Sequence, residues 1–127
     1  MTDRRLISSG SPFERTIGFS RAVRVGDRVL VSGTAPVEAD GSCAPGAAAQ
    51  AERCIAIIAA ALAEAGARLD DVVRTRLFLT DVADADAVSA VHGRHFGEIR
   101  PAATMVVVAA LLDPRWRIEM EAEAVIG

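Results

Sequence analysis

The sequence predicts an α+β fold, one mixed sheet with both helices on one face, and three observations carry that prediction. Two strand-like runs flank Gly26-Asp27, a two-residue turn signal that reads as a hairpin. Helix-period and strand-period segments then follow in the order helix, strand, helix, strand, strand, so each half has the form β-(β)-α-β and its helix crosses back on the same side. In the last segment, Arg117, Glu119, Glu121 and Glu123 alternate with Ile118, Met120, Ala122 and Ala124, which gives a strand one charged face and one packing face.

The hairpin strands are expected over residues 20–25 and 28–32. From 47 to 65 the apolar positions Ala51, Ile55, Ile58, Leu62 and Ala65 recur at helical spacing, and Gly66 stands where a left-handed residue ends a helix. That spacing predicts a long, half-buried helix. Residues 72–79 read as a strand, and 83–96 as a second helix with Asp81 or Asp84 at its start. Pro101 fixes a kinked start to the next strand, and the apolar, β-branched run 103–108 predicts a strand buried on both faces.

A chain of 127 residues with 51% hydrophobic and 4% aromatic content fits a single domain, 1–127, whose core comes from Ala, Val, Ile and Leu. The net charge of −3 argues against nucleic acid or an anionic membrane surface as partner, since both need a basic patch. All fourteen basic residues are Arg. The absence of Lys excludes a side-chain Schiff base, pyridoxal-phosphate attachment and a P-loop lysine, and the absence of Tyr removes any phenolic acid. Leu6-Ile7 gives way at once to Ser8-Ser9-Gly10, so there is no apolar signal region and a cytoplasmic location is expected. Cys43 and Cys54 lack metal-clip or redox spacing and are expected to be free thiols.

The segment Val31-Ser32-Gly33-Thr34-Ala35-Pro36-Val37, the strand Val72-Val73-Arg74-Thr75-Arg76-Leu77-Phe78-Leu79 with Thr80-Asp81, and the tail from Arg100-Pro101-Ala102 to Ile118-Glu119-Met120-Glu121-Ala122 together resemble the RidA (YjgF-like) family. The likeness runs from about Gly18 to Ala124 in order and spacing. It implies a chorismate-mutase-like fold with a six-stranded sheet, assembled as a homotrimer with a small-molecule cleft between neighbouring subunits. It also implies an imine or enamine deaminase that produces a carbonyl and ammonia and uses neither metal nor organic cofactor.

Carried onto this chain, the family's water-orienting Glu falls on Glu119, and its backbone and hydroxyl contacts fall on Ser32 and Gly33. The cleft Tyr falls on Phe19, and the family's Asn and Cys fall on Ser89 and Met105. The family's substrate-carboxylate Arg falls on Ala103, where the chain reads Pro101-Ala102-Ala103. A bidentate Arg–carboxylate pair fixes the reacting carbon beside the water, and Ala cannot form one. Arg100, three residues upstream, is either a replacement anchor or an ordinary surface Arg. Phe19, Met105 and Ala103 would line an apolar pocket suited to neutral ligands.

Glu119 has two readings, a water-activating carboxylate with a raised pKa or one end of an interface salt bridge to Arg74 or Arg76. His92, His95 and Glu98 share helical spacing, but two His without a third fixed ligand are a weak metal signal and read as surface or packing residues. Gly41, Pro45 and Gly46 bracket a polar turn. Trp116, the sole Trp, is expected either at the cleft mouth or anchoring a subunit interface. Two functions remain open: the imine or enamine hydrolase, and a non-catalytic trimer that binds a small metabolite in its clefts.

Overall fold

The computed structural model describes residues 3–127. Eight main elements follow in chain order: β1 (Arg4–Ile7), β2 (Ala22–Val25), β3 (Arg28–Thr34), α1 (Ala47–Glu64), β4 (Val72–Leu79), α2 (Ala85–Phe96), β5 (Ala102–Val107) and β6 (Ile118–Val125). The sheet is mixed and six-stranded in the order β1-β2-β3-β6-β4-β5. Only β4 and β5 run parallel, joined by the α2 crossover. Both helices cover one face.

The core lies between that face and α1. Val29, Val31, Thr75, Leu77, Leu79, Ile118, Met120 and Ala122 point into it from the sheet, while Cys54, Ile55, Ile58 and Leu62 meet them from the helix. Small residues dominate α1, so its axis approaches the sheet closely. Gly66, at φ 86°, ends α1 as predicted: its N–H donates to Ala63 O at 3.0 Å and the Ala67 N–H reaches back to Leu62 O at 2.8 Å. Gln50 is fully buried within α1 and ties two loops to it, donating to Ala44 O and Arg115 O and accepting from the Arg117 N–H.

Four expectations need correction. The sixth strand is Arg4–Ile7, a stretch too short and too charged to show strand period by itself; it exists because β2 offers it a free edge. The hairpin begins at Ala22 and not at Ser20, and its second strand runs on to Thr34. The second helix starts at Ala85, after a tight turn over Val82–Asp84 in which the Asp81 carboxylate accepts from the Ala83 N–H at 2.9 Å. The strand expected to be buried on both faces is largely exposed in the single chain, because β5 is an edge strand paired only with β4. No described helix is long and apolar enough to cross a membrane.

Two irregularities shape the helix-free face. In β3 the register slips between Val31 and Thr34, so Ser32 and Gly33 bulge where one residue would pair. In β4 it slips between Val72 and Arg74. Glu119, Glu121 and Glu123 stand on this face beside Leu30, Phe78 and Val106.

Candidate functional site

The charged stripe of β6 is not uniform. Arg76 Nη1 donates to Glu121 Oε1 at 3.1 Å and Glu123 Oε2 at 3.0 Å, and Arg28 reaches Glu123 at 3.5 Å. Among the described residues Glu119 has no ion-pair or hydrogen-bond partner, because its cross-strand neighbour on β4 is Phe78. Arg74, the other expected partner of the stripe, forms no ion pair among the described residues. Burial, and then the like charge of Glu121, raise the Glu119 carboxyl above its ordinary value, while Arg21 pulls it part of the way back. A half-buried, unpaired carboxylate of this kind can hold a water or accept its proton.

The β3 bulge gives that carboxylate its seat. A Cβ added to Gly33 would stand 2.3 Å from Glu119 Oε2, so only glycine lets the side chain lie where it does. Arg21 braces the bulge, its Nη2 donating to Ser32 O and Gly33 O at 2.7 Å each and to Thr34 Oγ1 at 3.0 Å. The Ser32 hydroxyl donates to Ser20 O at 2.6 Å. Ser32 and Phe19 share an open groove of about 500 Å³ with Arg4, Leu6 and Arg15. Phe19 is 40% exposed there, its ring available to a ligand or a second chain.

A second group forms on the other face. Ala103 pairs with Thr75 and Met105 with Leu77, so both face the helices, and they line a cavity of about 250 Å³ with Ser89, His92 and Gly93 from α2. Glu119 lies in line with Phe78 and Val106, whose side chains point to the opposite face. Alternation across the sheet therefore keeps Glu119 apart from Ala103 and Met105 within one chain, and β4 stands between their strands. The predicted residues fall into two half-sites: Phe19, Ser32, Gly33 and Glu119 on one side, Ser89, Ala103 and Met105 on the other.

Arg100 belongs to neither. It is exposed between α2 and β5 at φ 56°, its N–H bonded to Phe96 O at 2.7 Å, and it is not among the residues lining the Ala103 cavity. Three residues of the site escaped the sequence reading. Arg21 left no signal, since a half-buried, bulge-bracing Arg looks like any other. His92 did leave one, because it follows Ser89 by three positions and shares its helix face. Thr75, fully buried, bonds His92 Nε2 through Oγ1 at 2.8 Å.

The other expectations resolve as follows. His95 bonds Glu52 at 2.8 Å, so the two His serve different partners, and no group of three or more metal-ligating residues gathers among the described residues. Cys43 and Cys54 are free, and burial pushes the Cys54 thiol up to about 12, which makes it inert at neutral pH. Trp116 is half-buried, with an indole N–H that lacks a hydrogen-bond partner.

Comparison with known proteins agrees with this fold. The model of the Endoribonuclease L-PSP family matches residues 11–126. A solved structure from Mycobacterium tuberculosis, described as a member of the YjgF/YER057c/UK114 family, superposes with a TM-score of 0.90 at 44% identity, covering 98% of this chain and 100% of that one. An uncharacterised protein of Streptomyces coelicolor is 38% identical over 97% of this chain and 92% of its own length. A goat 2-iminobutanoate/2-iminopropanoate deaminase is 33% identical over 98% of this chain and 91% of its own. With the family model spanning almost the whole length and the same fold in its relatives, the chain belongs to the RidA (YjgF-like) family.

Proposed function

We propose that the protein is an imine or enamine deaminase-like hydrolase that works as a homotrimer, with its reaction in clefts between neighbouring subunits. The observation that carries this is Glu119, the one carboxylate of its stripe without a cation, seated over Gly33 and held above its ordinary pKa. Glu119 orients a water, takes its proton as the oxygen attacks the imine carbon, and returns that proton to the nitrogen. The C–N bond of the resulting carbinolamine then breaks, nitrogen leaves as ammonia, and the carbonyl forms with no net oxidation.

The opposed half-sites support an assembly of subunits, which the family resemblance makes a trimer. Glu119 of one subunit can meet the Ser89–Met105 pocket only if a second subunit presents that pocket. The exposed edge of β5, together with Leu30 and Val106 on the helix-free face, offers apolar surface for such contact. Sedimentation should find a trimer; a stable monomer at micromolar concentration would remove the clefts and the mechanism with them. Although the matched family model carries the word endoribonuclease, the acidic stripe of β6 and the net charge of −3 disfavour a polyanion.

The activity test is hydrolysis of 2-iminobutanoate generated in situ by the wild type, Ala103→Arg and Glu119→Ala. Activity in the wild type that Glu119→Ala abolishes supports the hydrolase with an altered substrate anchor. Activity gained only by Ala103→Arg means that the water site is intact and the substrate different. The pocket's lack of a cation also suits a second reading, a non-catalytic trimer that binds a small metabolite, and silence in all three proteins favours it.

A further inference from the structure

Resting on the hydrolase reading, we infer that the cavity between α2 and β5 recognises an uncharged group with His92 as its hydrogen-bonding anchor, so that the substrate class is neutral imines and enamines without a carboxylate beside the C=N bond.

The cavity of about 250 Å³ holds Ser89 and His92 as polar side chains on its helix wall, with Leu77, Ala103 and Met105 opposite. No Arg lines it. Of the nearby Arg side chains, Arg76 is paired with Glu121 and Glu123 on the other face and Arg94 with Glu52, while Arg100 is exposed and stands outside the lining. A carboxylate entering this space would lose water and gain no counter-charge, a cost that a neutral group escapes.

His92 is built as a fixed, neutral donor or acceptor. Its Nε2 is bonded to the buried Thr75 hydroxyl, and its ring packs on Phe96 with centroids 4.7 Å apart at 35°. Nδ1 has no hydrogen-bond partner among the described residues and remains for a ligand. Burial first, and then His95, hold the ring below its ordinary pKa, so it stays uncharged at neutral pH. If Nε2–H donates to Thr75, Nδ1 accepts an amine or enamine N–H; in the other tautomer Nδ1–H donates to an imine nitrogen or carbonyl oxygen. Neither tautomer supplies the positive charge that a carboxylate needs.

The test compares two imines of similar shape, 2-iminobutanoate from an amino-acid oxidase and butan-2-imine from an amine oxidase, by ammonia release with the intact protein. In parallel, ligand-observed NMR measures binding of their products, 2-oxobutanoate and butan-2-one. The wild type should favour the neutral imine by at least ~10-fold in kcat/KM, since a carboxylate buried without a counter-charge pays its desolvation unrecovered. Ala103→Arg should reverse that order. His92→Phe should lose most of the turnover of the neutral imine, while His92→Asn, which keeps a polar amide, should retain part of it; melting temperatures confirm that each variant folds.

A wild-type preference for 2-iminobutanoate overturns the inference and leaves the hydrolase reading standing. So does unchanged turnover of butan-2-imine in His92→Phe. Binding of butan-2-one that depends on His92, without turnover of either imine, supports the pocket assignment and removes the hydrolase reading. Neither turnover nor binding overturns both.

Discussion

At the scale of single residues, the site depends on one contact made possible by a missing Cβ. Gly33→Ala brings a methyl carbon into clash with Glu119 Oε2. The carboxylate is the far end of a flexible side chain and will swing aside, so the melting temperature should change by only about 2 °C or less while activity falls at least ~10-fold. A large loss of stability with unchanged activity per folded molecule would show that the contact is merely structural. On the proposed mechanism Glu119 should also set the acid limb of the pH–rate profile. Its raised pKa places that limb above the ordinary carboxylate range, with the active, ionised form gained as pH rises. Glu121→Gln removes the neighbouring like charge and should move the limb to lower pH. For stability the sign is opposite: a carboxyl whose folded pKa is raised binds its proton more tightly when folded, so stability falls as pH climbs from the ordinary value to the raised one. Glu119→Gln should therefore flatten that part of the stability profile, as thermal melts across the window will show. Alternation in β6 placed Glu119 on the charged face and the family resemblance singled it out, but neither showed its solitude, which depends on Arg76 choosing Glu121 and Glu123 across the strand.

At the scale of elements, the sequence was most legible where periodicity was long. Helix α1, the Gly26-Asp27 hairpin, β4 and β6 all announced themselves by spacing, and Gly66 stopped α1 as its position required. Gly66→Ala forces a side chain into the left-handed region and brings its Cβ to 2.8 Å from Arg24 Nη1, which should cost about 1–2 kcal/mol in chemical denaturation. A neutral result would mean that the helix end has an alternative termination. Legibility failed where pairing and not pattern decides. Strand β1 is four residues of mostly exposed side chains, held by a neighbour's open edge. The Val-rich β5 looked doubly buried because hydrophobic runs of that kind occur in central strands, yet its place at the sheet edge follows from topology, which local spacing does not encode. The β3 bulge was equally hidden, since Ser32-Gly33 looks the same in a regular strand and only the register against β6 shows the extra residue.

At the scale of the whole molecule, an acidic chain leaves a sheet face bearing carboxylates, Leu30 and Val106 without a helix to cover it. The half-buried Trp116, with its unpaired N–H, reports on nearby packing and should show a fluorescence change if dilution separates subunits. Glu119 and the Ala103 pocket stand on opposite sides of one sheet, and in the proposed trimer that geometry would make the protein's defects shareable. Consider one variant lacking the carboxylate, Glu119→Ala, and another with its pocket blocked, Met105→Trp, each inactive alone. If unfolded together and reassembled at equal amounts, random trimers of both kinds would each contain one cleft with a sound Glu119 from one subunit and a sound pocket from the next. About a quarter of the wild-type activity should return, from three-quarters of the trimers with one working cleft in three. A site contained within one chain would gain nothing from the mixing, so two inactive preparations in one tube separate a private active site from a communal one.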